Sequence, residues 1–365
     1  MRVLFDHQIF ATQSRGGISR YFFELAREMG EHTGVSVDLF GGLNITDFDL
    51  HSLANERVHV SSVHRPRIPK TARAFGALNA TALRAGPGRR HHDIYHPTYF
   101  DALPAARGRR VTTVYDMAHE RFADIMFPGD PTAAQKRRAV AKSDAVIAIS
   151  EATKIDLIEI LGVPEERISV IHLANSLRAR TGLPSPVEGP YILYVGVRYG
   201  YKNFERLLRV FDGNPDLNAA YKLVCFGGPE FSASEHSIVD GAGLAERVLR
   251  FSGDDTILAR MYENASALVY PSLYEGFGLP PLEAMYFHCP VLASRIAPVI
   301  EVAGDAAIYF DPTDDADLEA QLTTILSDED VRSRLRAAGE RKEAEYSWAR
   351  CADETLAFYR EVCGW

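Results

Sequence analysis

Short apolar runs alternate with helically spaced segments from one end of this chain to the other, and few folds accept that pattern. In the first half the runs are RVLFD (2–6), VSVDLF (35–40), RVHVSSV (57–63), DIYH (93–96), VTTVYD (111–116), AVIAIS (145–150) and ISVIH (168–172). The second half repeats the theme with YILYVG (191–196), KLVCFG (222–227), RVLRFSG (247–253), ALVYPS (267–272), PVLAS (290–294) and AIYF (307–310). Runs rich in Val and Ile and apolar on both faces suit strands of a covered parallel sheet, with the helical segments as right-handed crossovers. The fold class is therefore α/β, with each half doubly wound.

At 365 residues and 40.5 kDa the chain has about twice the span of one domain. A segment with three prolines, two glycines and no apolar periodicity, ANSLRARTGLPSPVEGPY (174–191), reads as the break. The expected organisation is a first domain over 1–175, a linker over 176–190, a second domain over 191–346, and a terminal helix over 347–365 that packs back on the first domain. Two such domains facing one another create a cleft lined by the carboxyl ends of both sheets, where helix N-termini present amides to an anion.

Four scattered cysteines without a C-x-x-C pair fit neither a disulfide framework nor a structural zinc site. The start MRVLFDHQIF carries Asp6 and His7 within its early apolar run, so neither a signal peptide nor a membrane span is expected, and the expected compartment is the cytoplasm. The net charge of −9 is unevenly spread. Residues 1–180 hold 24 lysines and arginines against 20 acidic residues, and residues 181–365 hold 16 against 29. Between Arg57 and Arg110 lie 11 basic residues and two acidic ones, Asp93 and Asp101. That stretch is either a solvated face or a surface that meets an anionic partner such as a phosphate-bearing acceptor or acidic lipid. Without interleaved aromatics it does not read as a nucleic-acid site.

The densest chemistry lies in SLYEGFGLPPLEAM (272–285), which follows the run ALVYP and enters a helix. Pro280 and Pro281 suit the first helical positions, which leaves the amides of Gly276, Phe277, Gly278 and Leu279 to grip an anion. Glu275 and Glu283, eight positions apart, flank the loop. The segment resembles the E-x7-E signature of retaining glycosyltransferases of family 4, which have the GT-B architecture of two Rossmann-like domains around a cleft. The resemblance implies that Glu275 contacts a donor sugar and Glu283 the nucleotide ribose, with Gly276, Phe277, Gly278 and Leu279 on sugar and phosphate.

Further landmarks follow the same family. In YVGVRYGYKNFERLL (194–208), Arg198 and Lys202 are placed to converge on a diphosphate in place of a metal ion, as the family's arginine and lysine pair does. The diglycine Gly16-Gly17 in QSRGGISRYFFELAREM precedes an amphipathic helix, where relatives approach donor phosphate or acceptor. In DIYHPTYF and TTVYDMAHERF, His96, Asp116 and His119 are expected at strand ends, and Tyr115 stands where relatives carry a sugar-contacting histidine. His119, Tyr115 and His96 are the candidates to replace it, with Asp116 and His119 preferred. Backbone groups around Arg250, Phe251 and Ser252 resemble the base-reading edge, and Asp254-Asp255 cap the helix that follows. The strings Asp47-Phe48-Asp49 and Asp315-Ala316-Asp317 are read as non-catalytic, so no metal site is expected.

The implied activity is retaining transfer of a hexose from a nucleotide sugar, the only co-substrate expected. The strings DHQIF, GGISRYF and GYKNF resemble bacterial O-antigen and exopolysaccharide mannosyltransferases, which implies GDP-mannose and a saccharide or lipid-pyrophosphate-linked acceptor, with peripheral contact at an anionic membrane surface. Another GDP- or UDP-sugar donor, a sugar-nucleotide epimerase of the same architecture and a silent nucleotide-sugar-binding subunit remain the alternatives.

Overall fold

The computed structural model describes residues 1–101, 107–177, 182–241 and 243–365. The chain divides into two compact units, one of residues 1–173 together with 347–365 and the other of residues 174–346. Residues 178–181, in the middle of the expected linker, lie outside the described residues. Its flanks are not free connector: Leu177 and Val187 are each 4% exposed and join the hydrophobic core of the second unit.

The first unit is built on seven parallel strands: Arg2–Phe5 (β1), Ser36–Asn44 (β2), Val58–His64 (β3), His91–His96 (β4), Arg107–Val114 (β5), Ala145–Ala148 (β6) and Ile168–Val170 (β7). Their order is β3-β2-β1-β4-β5-β6-β7. The second unit holds six parallel strands: Tyr191–Val195 (β8), Lys222–Phe226 (β9), Val248–Phe251 (β10), Ala267–Tyr270 (β11), Val291–Ser294 (β12) and Ala307–Phe310 (β13), in the order β10-β9-β8-β11-β12-β13. Every apolar run singled out in the sequence contributes one strand. In each sheet the first strand of the unit sits centrally and the winding direction reverses beside it, between β1 and β4 and between β8 and β11. That reversal is the topological switch point where open α/β sheets bind ligands.

Sequence periodicity explains how the helices cover these sheets. In the helix Gly17–Glu31, Tyr21, Phe22, Leu25, Ala26 and Met29 are buried on one stripe, and in Phe204–Gly213 the stripe is Phe204, Leu207, Leu208 and Phe211. Burying one such side chain contributes about 1.5–3 kcal/mol, so these stripes fix each helix on its sheet. The terminal helix Trp348–Cys363 belongs to the first unit. Its Tyr359 hydroxyl meets His96 Nδ1 at 2.5 Å, and its Trp348 ring lies 6.1 Å from that of Tyr21.

Candidate active site

The second unit's switch point is where the candidate residues gather. The polypeptide leaves β8 through Gly196 to Lys202 and leaves β11 through Pro271 to Glu275, so neighbouring parallel strands deliver these two loops to the same edge. Backbone and side chain then lock the loops together. The Leu273 N–H donates to the Tyr201 carbonyl at 2.7 Å. Asn203 adopts a left-handed conformation with φ of 57°, which its short polar side chain tolerates better than most. Its side-chain amide donates to the carbonyls of Pro271 and Pro312, both at 3.0 Å, pinning the start of the next helix across the ends of β11 and β13.

Within this frame Lys202 Nζ donates to Glu275 Oε1 at 2.7 Å and Oε2 at 2.9 Å. The side chains are 19% and 10% exposed, so the pair is sheltered yet reachable from solvent. Tyr270, the last residue of β11, adds a hydroxyl hydrogen bond to Glu275. Burial first and that carboxylate second hold its phenol well above the usual range, so it stays protonated and donates. A carboxylate held from one side by an ammonium and from another by a phenol is an oriented acceptor for hydroxyl groups. The ammonium has three donors, two of them spent on Glu275, and the third is available to an incoming anion.

The following helix runs from Leu279 to Tyr286, capped by Gly278 at φ of 129°, a backbone that L side chains rarely adopt. Pro280 and Pro281 occupy its second and third positions, one residue later than the sequence pattern implied, and Glu283 falls in the second turn. The phenol of Tyr262 donates to Glu283 Oε2 at 2.8 Å and orients it. The Phe277 ring is 3% exposed and packs edge-on to Tyr346 at 5.9 Å, so its side chain serves the core and its contribution to a ligand is limited to backbone.

Arg198 departs from expectation. Its Nε donates to Glu235 at 2.8 Å, and its terminal nitrogens donate to the carbonyls of Gly227 at 3.1 Å and Pro229 at 2.5 Å. It is 3% exposed, with its guanidinium 4.7 Å from the Phe231 ring. Three of its five N–H donors are engaged, one on Glu235 and two on carbonyls of the loop after β9, so its observed role is to hold that loop. Arg250 works on the same loop, donating to Pro229 and Gly228 carbonyls at 2.9 and 3.1 Å and pairing with Glu230. Phe251 is half-buried against the core and its carbonyl accepts from the Gly227 N–H, while Ser252 is exposed.

In the first unit, Gly16 and Gly17 open the helix Gly17–Glu31, with Gly16 in an extended conformation and without a capping side chain. A Cβ at Gly16 would meet the Gln13 side-chain amide at 2.4 Å, the far end of a flexible side chain that can shift aside. Asp116 follows β5 and accepts from the Ala118 N–H at 3.0 Å. The fully buried Lys136 ammonium donates to the Asp116 carbonyl and to Glu120, both at 2.7 Å. His119 stacks on Phe127 with ring centroids 4.2 Å apart.

Two expected ligand contacts in this unit are instead core. His96 is fully buried between Tyr359 and the Thr113 hydroxyl, and burial drives its pKa down to about 3. Tyr115 is 9% exposed and its hydroxyl is buried beside Tyr21, where burial pushes the phenol well above its usual range. Both lie at strand ends but face inward. The D-x-D strings have ordinary partners: Asp47 pairs with Arg15, Asp49 caps a short 3-10 turn, and Asp315 pairs with Arg206.

Two family models match the chain in tandem. "Glycosyltransferase Family 4" matches residues 15–174, and "Glycosyl transferases group 1" matches residues 176–342. The chain belongs to the family 4 glycosyltransferases. It is 28% identical to the O-antigen chain mannosyltransferase B of Escherichia coli over 96% of this chain and 99% of that one. Among solved structures, the sucrose-phosphate synthase of Thermosynechococcus elongatus superposes with a TM-score of 0.77 at 20% identity, covering 99% of this chain and 98% of that one. The Anabaena protein HepE, in complex with UDP and glucose, superposes with a TM-score of 0.73 at 16% identity over 98% of both chains. The glycosyltransferase therefore has the GT-B fold. The residues that sequence reasoning passed over here are Tyr270, Tyr262, Asn203 and Glu235. Only Asn203 carried a local signal, as an asparagine directly before a helical stripe.

Proposed function

We propose that the protein transfers a hexose, most simply mannose from GDP-mannose, to a saccharide or lipid-linked saccharide with retention of configuration. The observation that carries this reading is the solvent-reachable Lys202–Glu275 pair at the second unit's switch point. Bond breaking at the anomeric carbon leaves positive charge on the sugar ring and negative charge on the departing diphosphate. Lys202 neutralises the diphosphate together with loop amides at Gly278 and Leu279, electrostatic work done by groups already in place. Glu275 accepts hydrogen bonds from the sugar hydroxyls. Its two oxygens are occupied by Lys202, with Tyr270 adding a further bond, which favours orientation over covalent attack. Retention then proceeds by attack on the face the diphosphate leaves, with a phosphate oxygen taking the acceptor hydroxyl's proton. Glu283, oriented by Tyr262, is assigned to the ribose, and the carbonyl-rich loop held by Arg198 and Arg250 to the nucleoside side.

Mannose is favoured by the full-length likeness to an O-antigen mannosyltransferase, and a uridine donor by the UDP in the Anabaena structure. Incubation with a panel of nucleotide sugars separates these readings. Nucleotide release that requires acceptor supports transfer, and release without acceptor but with an altered free sugar supports epimerisation. Binding without release supports a silent subunit. Turnover that persists in excess chelator is expected, and an absolute need for a divalent ion contradicts the assignment of Lys202.

The basic stretch is assigned to an anionic membrane surface. Among the described residues no helix is long and apolar enough to cross a membrane. Arg89 and Arg90 are exposed, and Ile68 and Leu78 are 48% and 56% exposed in the same stretch. Arg89→Glu with Arg90→Glu is expected to weaken binding to anionic liposomes, and unchanged binding removes this contact.

A further inference from the structure

Glu275 is followed by Gly276, Phe277 and Gly278, so Phe277 carries the one side chain by which this stretch of the donor loop can be tied to the core. Glycines on either side leave the backbone wide conformational freedom, and Gly278 uses it at φ of 129°. Amides that grip an anion work best when they are fixed before it arrives. Whatever holds the Phe277 ring therefore holds the donors that follow at Gly278 and Leu279.

That ring is 3% exposed and meets the Tyr346 ring edge-on, with centroids 5.9 Å apart and planes at 81°. Tyr346 is itself held from two further sides. Its hydroxyl donates to the Glu301 carbonyl, on the helix Ala297–Ala303, at 3.3 Å, and the Lys342 ammonium lies 5.6 Å from the centre of its ring. Burial above all raises the phenol over its usual range, so the hydroxyl stays a donor. Lys342 ends the helix Glu329–Glu343, which at Gly339 runs so close to the helix Leu279–Tyr286 that an added Cβ would lie 3.2 Å from Met285. The ring that meets Phe277 is thus fixed by elements outside the loop. Tyr346 is also the last residue of the second unit, and the chain passes at Ser347 to the terminal helix of the first.

We propose that Tyr346 is a positioning residue for donor binding: its ring buttresses Phe277 and so sets the amides of Gly278 and Leu279 against the diphosphate. The inference rests on the transferase reading and adds to it a residue that acts only through Phe277. The ring is required for this role and the hydroxyl is not.

The test is calorimetric titration of the full chain with GDP and with UDP, and with guanosine and uridine as competitors. The ratio of nucleoside to nucleoside-diphosphate Kd reads the contribution of the diphosphate for whichever base is bound. In Tyr346→Leu and in Tyr346→Met, which keep apolar volume and remove the ring, that ratio is expected to fall about ten-fold with nucleoside affinity unchanged. Tyr346→Phe keeps the ring and is expected to keep the ratio of the unaltered chain. Phe277→Leu is expected to match the loss, and Tyr346→Leu combined with Phe277→Leu to lose no more than the larger single change, because both remove one contact. A ratio unchanged in the ring-free variants, an equal loss of nucleoside and diphosphate affinity, a loss in Tyr346→Phe as large as in Tyr346→Leu, or additive losses in the double variant would each overturn the proposal while leaving the transferase reading in place. Failure of the unaltered chain to bind either GDP or UDP instead strikes the transferase reading, and the positioning role with it.

Discussion

Both sheets place a carboxylate beside their switch point, and the two are treated in opposite ways. In the first unit Asp6 is fully buried. It accepts from the Tyr95 hydroxyl and the Gln8 amide, both at 2.6 Å, and from the Thr98 hydroxyl and N–H at 2.8 and 3.0 Å. In the second unit Glu275 is held by the Lys202 ammonium and a phenol and stays within reach of solvent. Neutral donors fixed on the surrounding backbone saturate Asp6 and join β1 to β4. A lysine on a flexible stem can exchange partners when a ligand arrives, so Glu275 is poised for chemistry. Position in the fold is therefore not enough to name a working carboxylate; its partners decide.

The same contrast separates the two cations after β8 and gives the largest expected effects. Arg198→Ala strands Glu235, which is 4% exposed, as an unpaired buried charge. It should lower the unfolding free energy by about 3–5 kcal/mol, read by denaturant titration. Lys202→Ala should lower turnover about 10²–10³-fold, with a much smaller change in stability, because the loss falls on the departing diphosphate. If the two variants exchange these phenotypes, the roles are reversed. Asp6→Asn should cost about 1–3 kcal/mol of stability, since an amide cannot accept every bond the carboxylate did. Donor affinity of the folded fraction should be unchanged, and a selective loss of that affinity would erase the contrast with Glu275. The effect that vanishes at neutral pH concerns His96, whose ordinary pKa of 6.5 falls to about 3 in the fold. As pH drops below 6.5 the unfolded chain takes up a proton that the folded one refuses. Stability should therefore fall between pH 6.5 and about 3, with a slope contribution of up to roughly 1.4 kcal/mol per pH unit, and be unaffected by this group above 6.5. His96→Gln should remove that part of the slope.

The sheets were legible because buried parallel strands must be apolar on both faces, and the loop from Glu275 to Glu283 was legible because glycines and prolines announce its backbone. What sequence left open were partnerships across long separations. Nothing local to Arg198 reveals that Glu235, 37 residues on, will claim it, and nothing near His96 reveals Tyr359, 263 residues away. Strand-end residues such as Tyr115 and His96 read equally well as ligand contacts or as core, since the alternation that turns a side chain inward depends on register with its neighbours.

The central claim is that a donor's diphosphate lies against Lys202 and the helix opening at Leu279. A crystal structure with GDP-mannose or its non-transferable analogue bound tests it directly. The account predicts a phosphate oxygen within hydrogen-bond distance of Lys202 Nζ and of the Gly278 or Leu279 amide, with Glu275 on the sugar hydroxyls. A donor bound elsewhere, with the Lys202–Glu275 pair undisturbed and untouched, would contradict it.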